Sequence, residues 1–143
     1  MITCRRLVVI ALCGIIIASS ASARIGDTVT QIEARFGKPD HEVTPKSEVR
    51  HHLAYLFKNY NVDVVFQDGL SAWEAYEMQE EGKAGAVPDA FFDVVLDENG
   101  GKAEFTVLKH SKDRVEWRRK DGKITVTRFS GGGFQIGLTG FGS

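Results

Sequence analysis

The sequence predicts an α+β domain, with short helices packed on one face of an antiparallel sheet. Three observations carry this expectation. A capped amphipathic segment ending at Phe36 has the period of a helix. Alternating apolar runs flank Asp68-Gly69, and again Asp121-Gly122, as strands folded back at tight turns would. The order of helix, polar gap and Trp-bearing hairpin then occurs twice. That repetition suggests two tandem helix–β-hairpin units, 24–82 and 83–130, followed by 131–143 as a Gly-rich tail or last strand. The chain has 143 residues, 43% hydrophobic and 26% charged. This balance suits one buried core and excludes a disordered chain.

Residues 1–23 read as an export signal rather than as part of the fold. Arg5 and Arg6 begin it, the apolar run 7–18 follows, and Ala21-Ser22-Ala23 supplies a small-x-small cleavage motif. A membrane-spanning helix needs about 20 apolar residues, more than this run offers. Both cysteines, Cys4 and Cys13, lie inside the segment. Cys13 follows the large Leu12 in a run that continues past it, so lipidation is not expected. The chain from Arg24 onward then has no cysteine, which excludes disulfides, thiolate metal sites and a thiol nucleophile. The expected location is periplasmic or secreted.

In the first unit, Thr28 and Gln31 form a capping box. Ile25, Val29, Ile32 and Phe36 recur on one helical face, Gly37 suits a helix end and Pro39 cannot continue the helix. So short a helix is not stable alone and must bury its stripe elsewhere. Leu53, Tyr55 and Phe57 alternate, as do Val62, Val64 and Phe66. Folding at Asp68-Gly69 pairs Phe66 with Ser71, Val64 with Trp73 and Val62 with Ala75, one dry face. Asp63, Glu74, Val65, Ala72 and Tyr76 take the other. The stretch 78–85 is polar and reads as a connection.

In the second unit, Pro88 and Asp89 suit a helix start. Val87, Phe91, Phe92, Val95 and Leu96 share one side, and Asn99-Gly100-Gly101 ends the helix. Asp89, Asp93 and Asp97 read as a solvated acidic face. Phe105 and Val107 mark a strand. The turn at Asp121-Gly122 pairs Trp117 with Val126, Val115 with Arg128 and Arg119 with Ile124. Residues 130–133 read as a flexible link, and Phe134, Ile136 and Leu138 alternate.

Chemistry is sparse. His41, His51, His52 and His110 show no metal-ligand spacing, and His51 and His52 point to opposite faces of a strand. There is no G-x-S-x-G elbow and no phosphate loop. Catalytic residues, cofactors and metals are therefore not expected. The net charge is −1, with acidic residues dominating 24–99 and basic residues dominating 100–143. Arg114, Arg118, Arg119 and Lys120 form a candidate partner-binding basic face on a strand that places Trp117 inward.

The segment Gly26-Asp27-Thr28-Val29-Thr30-Gln31-Ile32-Glu33-Ala34-Arg35-Phe36-Gly37-Lys38-Pro39 has the pattern G-x-T-x-x-x-apolar-x-x-x-apolar-G-x-P. It resembles the opening motif of the BamE (SmpA/OmlA) family of outer-membrane assembly factors. Tyr55-x-Phe57 and Val62-x-Val64-x-Phe66-x-x-Gly69 resemble that family's next strands. The pattern also recurs in domains similar to β-lactamase inhibitor protein. The resemblance spans roughly residues 25–76 and implies an α+β layer, with no binding residues carried over. The expected function is that of an exported, non-catalytic binding or structural domain of the cell envelope, contacting a protein or envelope component. Membrane association would be peripheral, and nucleic acid is not an expected partner. The alternative is a small secreted hydrolase or carbohydrate-binding protein using His41 or His51 with a carboxylate. A third reading is a homodimer joined through a sheet edge.

Overall fold

The computed structural model describes residues 24–44, 50–80 and 83–141, and the expected export signal lies outside them. Helix α1 (Val29–Phe36) begins where its residues dictate. The Thr28 side chain accepts from the Gln31 backbone N–H, and the Gln31 side chain accepts from that of Thr28. Ile32 and Phe36 are its buried face. Helix α2 (Asp89–Glu98) starts after Pro88 and buries Phe92, Val95 and Leu96.

Nine strands among the described residues make one antiparallel sheet. They are β1 (His41–Thr44), β2 (Arg50–Phe57), β3 (Tyr60–Gln67), β4 (Leu70–Glu80), β5 (Lys83–Gly85), β6 (Phe105–His110), β7 (Arg114–Arg119), β8 (Ile124–Phe129) and β9 (Phe134–Leu138). Their order is β1-β2-β3-β4-β9-β8-β7-β6, with β5 also paired to β4.

This corrects the α+β expectation. Strands hold 51% of the described residues and helices 19%, so the fold is β-rich and the helices are a partial cover. The expected helix–hairpin units give way to two meanders of four strands, β1–β4 and β6–β9, joined where β4 pairs β9. Three readings account for the difference. The polar stretch after Tyr76 continues as strand through Glu80, because one edge of it is hydrogen-bonded to β5. The 130–133 segment is a packed turn rather than a flexible link: the Gly132 N–H donates to the Phe129 carbonyl and its own carbonyl accepts from Val87. The Gly-rich end supplies β9, which lies at the centre of the sheet.

Register matters most at β3–β4. Phe66 pairs with Ser71, but Val65 pairs with Trp73, so Ala72 is an extra residue in β4. Such a bulge reverses the facing of every residue beyond it. Val64 meets Glu74 and Val62 meets Tyr76. Trp73 and Ala75, expected on the dry face, lie on the opposite one. Glu74 and Tyr76 enter the core instead. The β7–β8 pairs Trp117–Val126 and Val115–Arg128 fall where the sequence places them.

The core is rich in aromatics. Tyr76 and Phe134 stack at 4.7 Å across β4 and β9, Phe92 meets Phe134 edge-on at 5.0 Å, and Tyr60 stacks on Phe91 at 4.4 Å. Phe36 packs on Tyr55 and Phe57. Both helices thus rest on the face that carries Tyr55, Val62, Tyr76, Phe134 and Val126. Burial of these side chains contributes about 1.5–3 kcal/mol each.

Candidate functional site

The opposite face carries no described helix. Its centre is built by the bulge at Ala72, which turns Trp73 outward, and by Gly137, which lies across from it on β9. A Cβ at Gly137 would fall 2.9 Å from Trp73 Cδ1 and 3.0 Å from the Ala72 carbonyl oxygen. The half-buried indole therefore needs a glycine beneath it. Around it β7, β8 and β9 contribute Arg114, Glu116, Arg118, Thr125, Thr127 and Gln135, and with Leu138 and Phe141 they line a hollow of about 390 Å³. Arg114 Nε lies 2.6 Å from Glu116 Oε1. Among the described residues, no carboxylate lies within ion-pair distance of Arg118, on the neighbouring rung. The arrangement offers an aromatic plate, neutral hydrogen-bonding groups and a cation, which suits recognition of a partner that carries negative charge.

The four basic residues singled out in the sequence do not form one face. Alternation along β7 places Arg114 and Arg118 in this hollow and sends Arg119 to the other side. Arg119 donates to the Asn99 carbonyl at 2.9 Å and grips Asp121 through two bonds of 3.0 and 2.6 Å. That grip, with the Lys123 backbone N–H, holds the Asp121 carboxyl down at about 2. Lys120 stands in the turn, 3.6 Å from Glu104. Arg119 is thus engaged in the β7–β8 turn and at the end of α2, and Lys120 faces the segment that leads into β6.

Sequence reasoning missed Trp73, Gln135, Thr125 and Thr127. The bulge that turns Trp73 outward lies at Ala72, ahead of the apolar residues whose phase could have marked it.

The histidines are dispersed. His51 lies on the helix-covered side, 3.2 Å from Glu42 and beside Phe66. His52 lies on the open side, 3.3 Å from Asp63. His41 shares a separate hollow with Asp40 and Asp63, its Nδ1 2.9 Å from Asp40 Oδ2, and both partners are more than 60% exposed. His41 and His51 therefore face opposite sides of the sheet. Among the described residues, no three His, Cys, Asp or Glu side chains gather to hold a metal ion.

One titratable group sits deep in the core. Glu74 is fully buried under the β4–β9 junction. Burial pushes its carboxyl up to about 7; the Tyr76 hydroxyl, donating at 2.7 Å, opposes this, and the Asp27 charge adds to it. The Ser71 side chain also opposes the rise, although among the described residues no hydrogen-bond partner lies within reach of the other oxygen, Oε1.

No family model, no curated protein and no solved structure matches this chain.

Proposed function

We propose that this chain is an exported, non-catalytic binding domain of the cell envelope, periplasmic or secreted, which holds an acidic segment of a protein partner on the open face of its sheet. The observation that carries the reading is the Trp73 hollow, lined both by a half-buried indole and by the Arg118 guanidinium, which has no carboxylate within ion-pair distance among the described residues. An aromatic side chain and an arginine in one desolvable patch are the residue types that dominate binding energy at protein interfaces. The resemblance of the Gly26–Pro39 motif to an outer-membrane assembly family and the small-x-small motif at Ala21–Ala23 support the envelope setting.

Affinity capture from an envelope extract tests it, using the wild-type chain, Trp73→Ala and Arg118→Glu in parallel. The expected result is a protein retained by the wild type and weakened about 30-fold or more by either substitution, as for a central interface residue. Equal retention by all three chains, or recovery of no partner, would overturn the proposal. A second reading rests on the His41–Asp40 contact at 2.9 Å in its own hollow. It predicts ester or glycoside turnover that His41→Ala abolishes, and absence of turnover dismisses it.

A further inference from the structure

From its first described residue the backbone is pinned. The Arg24 carbonyl accepts from the Ser71 hydroxyl at 2.9 Å, and the Ile25 N–H donates to Asn99 Oδ1 at 2.9 Å. The Gly26 N–H reaches the Ser71 carbonyl at 2.8 Å, and the Ser71 N–H reaches the Asp27 carbonyl at 2.8 Å. The backbone nitrogen of Arg24 itself lies 3.1 Å from Asp27 Oδ2. Asp27 is only 6% exposed, and the same oxygen is paired with Arg35 of α1. This nitrogen directly follows Ala21-Ser22-Ala23, the small-x-small motif.

We infer that cleavage after Ala23 completes a partly buried charge cluster, in which the new α-ammonium of Arg24 pairs with Asp27 and locks the start of the mature chain to the fold. The inference rests on the export reading for the cleavage itself, and on the Arg24–Asp27 contact for the lock. In the cleavage, water adds across the Ala23–Arg24 peptide bond. Its hydroxyl goes to the Ala23 carbonyl carbon, and the C–N bond breaks. A proton goes to the departing nitrogen, which takes a second proton from solvent below the pKa of an α-amine, ordinarily about 7.7–8.0. A neutral amide donating to the Asp27 carboxylate thereby becomes an ionised donor facing an ionised acceptor, which adds a Coulombic attraction to the hydrogen bond. The added charge also suits its surroundings. The titratable and charged groups around it are Asp27, Arg35 and, from β4, Glu74, raised to about 7 by burial, with its Tyr76 partner; Arg24's own side chain shares a neighbouring hollow with Asp97, Glu98 and Arg119, so Asp27 is the carboxylate that the new charge meets. Processing would then be recorded as stability, since the uncleaved chain offers Asp27 only an amide.

Two measurements separate the lock from the export reading. For the lock, a chain beginning at Arg24 with a free amine is melted beside the same chain acetylated at that amine, and beside one begun at Ala23. The free amine is expected to melt about 3 °C or more above both others at pH 6–7, a shift in the range a single such contact gives in a domain of this size. The advantage is expected to fade as pH rises through the pKa of the paired amine, because a group that gains a partner in the folded state stabilises it only while protonated. Asp27→Asn should abolish the difference; if that variant does not fold, the comparison of acetylated with free amine decides alone. Equal melting of the three chains overturns the lock whatever the export route. For the cleavage, the intact mass of the exported chain is expected to begin at Arg24. A different first residue overturns the processing step and leaves the melting comparison standing on its own.

Discussion

Glu74 offers the sharpest test of the core, through the substitution Glu74→Gln. The side chain is fully buried between β3 and β9, and its carboxyl rises from 4.5 to about 7 because burial disfavours the charge. One pKa unit corresponds to about 1.36 kcal/mol, so the folded state carries a penalty of about 3 kcal/mol above pH 7 that is absent well below pH 4.5. The sign follows from proton counting. Between 4.5 and 7 the folded chain holds a proton that the unfolded chain has released, so this group's contribution weakens as pH rises through that window. Glutamine keeps the shape and can still accept from the Tyr76 hydroxyl, but never ionises. Urea denaturation is expected to show Glu74→Gln about 3 kcal/mol more stable than wild type at pH 8 and within about 1 kcal/mol of it at pH 5. If the difference between the two chains is the same at both pH values, the carboxyl titrates normally and the argument from burial fails.

Gly132 sits at φ +99 with the position of its missing Cβ 2.4 Å from the Ala86 Cα. Because that neighbour is backbone and cannot step aside, Gly132→Ala should lose about 3 kcal/mol in chemical denaturation. Arg128 lies over the Phe92 ring at 5.0 Å, donates to the Val87 carbonyl at 2.9 Å and reaches Asp89 at 2.6 Å. Arg128→Ala should cost about 1–2 kcal/mol through the ring and carbonyl contacts. Asp89→Ala should cost under about 0.5 kcal/mol, since the Asp89 side chain is 86% exposed and its ion pair is weak in water. Thermal melts of the two variants check the order; equal losses would mean that the ion pair, not the ring contact, holds α2 to β8.

The parts of the fold legible in the sequence are those set by neighbours in the chain. Helix α1 is such a part: its cap at Thr28, its stripe of Ile32 and Phe36 and its stop at Gly37 lie within a few residues of each other. The β7–β8 register is another, because the turn and the alternation of Val115 and Trp117 agree. The β-rich class was not legible. Polar residues near Glu80 discourage a strand when read alone, and they are strand because β5 supplies the hydrogen bonds, while the alternation of Phe134, Ile136 and Leu138 offered a last strand without its place at the centre of the sheet. Of the candidate basic face, Arg114 and Arg118 reach the open side by simple alternation. The same alternation turns Arg119 to the covered side, where it bonds the Asn99 carbonyl and Asp121. Trp73 was placed on the wrong side because one unpaired residue, Ala72, inverts everything after it.

By itself the sequence determined the local elements with their caps and turns, the cysteine-free chain beyond residue 13 and the scarcity of catalytic motifs, all properties of contiguous residues. The tertiary structure decided that β4 and β9 meet, that a bulge turns Trp73 out and Glu74 in, and that Asp27 waits beside the nitrogen of Arg24. The β4–β9 pairing joins residues tens of positions apart, and even the local bulge and the Arg24–Asp27 contact follow from hydrogen bonds across the assembled sheet, which outweigh the preference of any single segment.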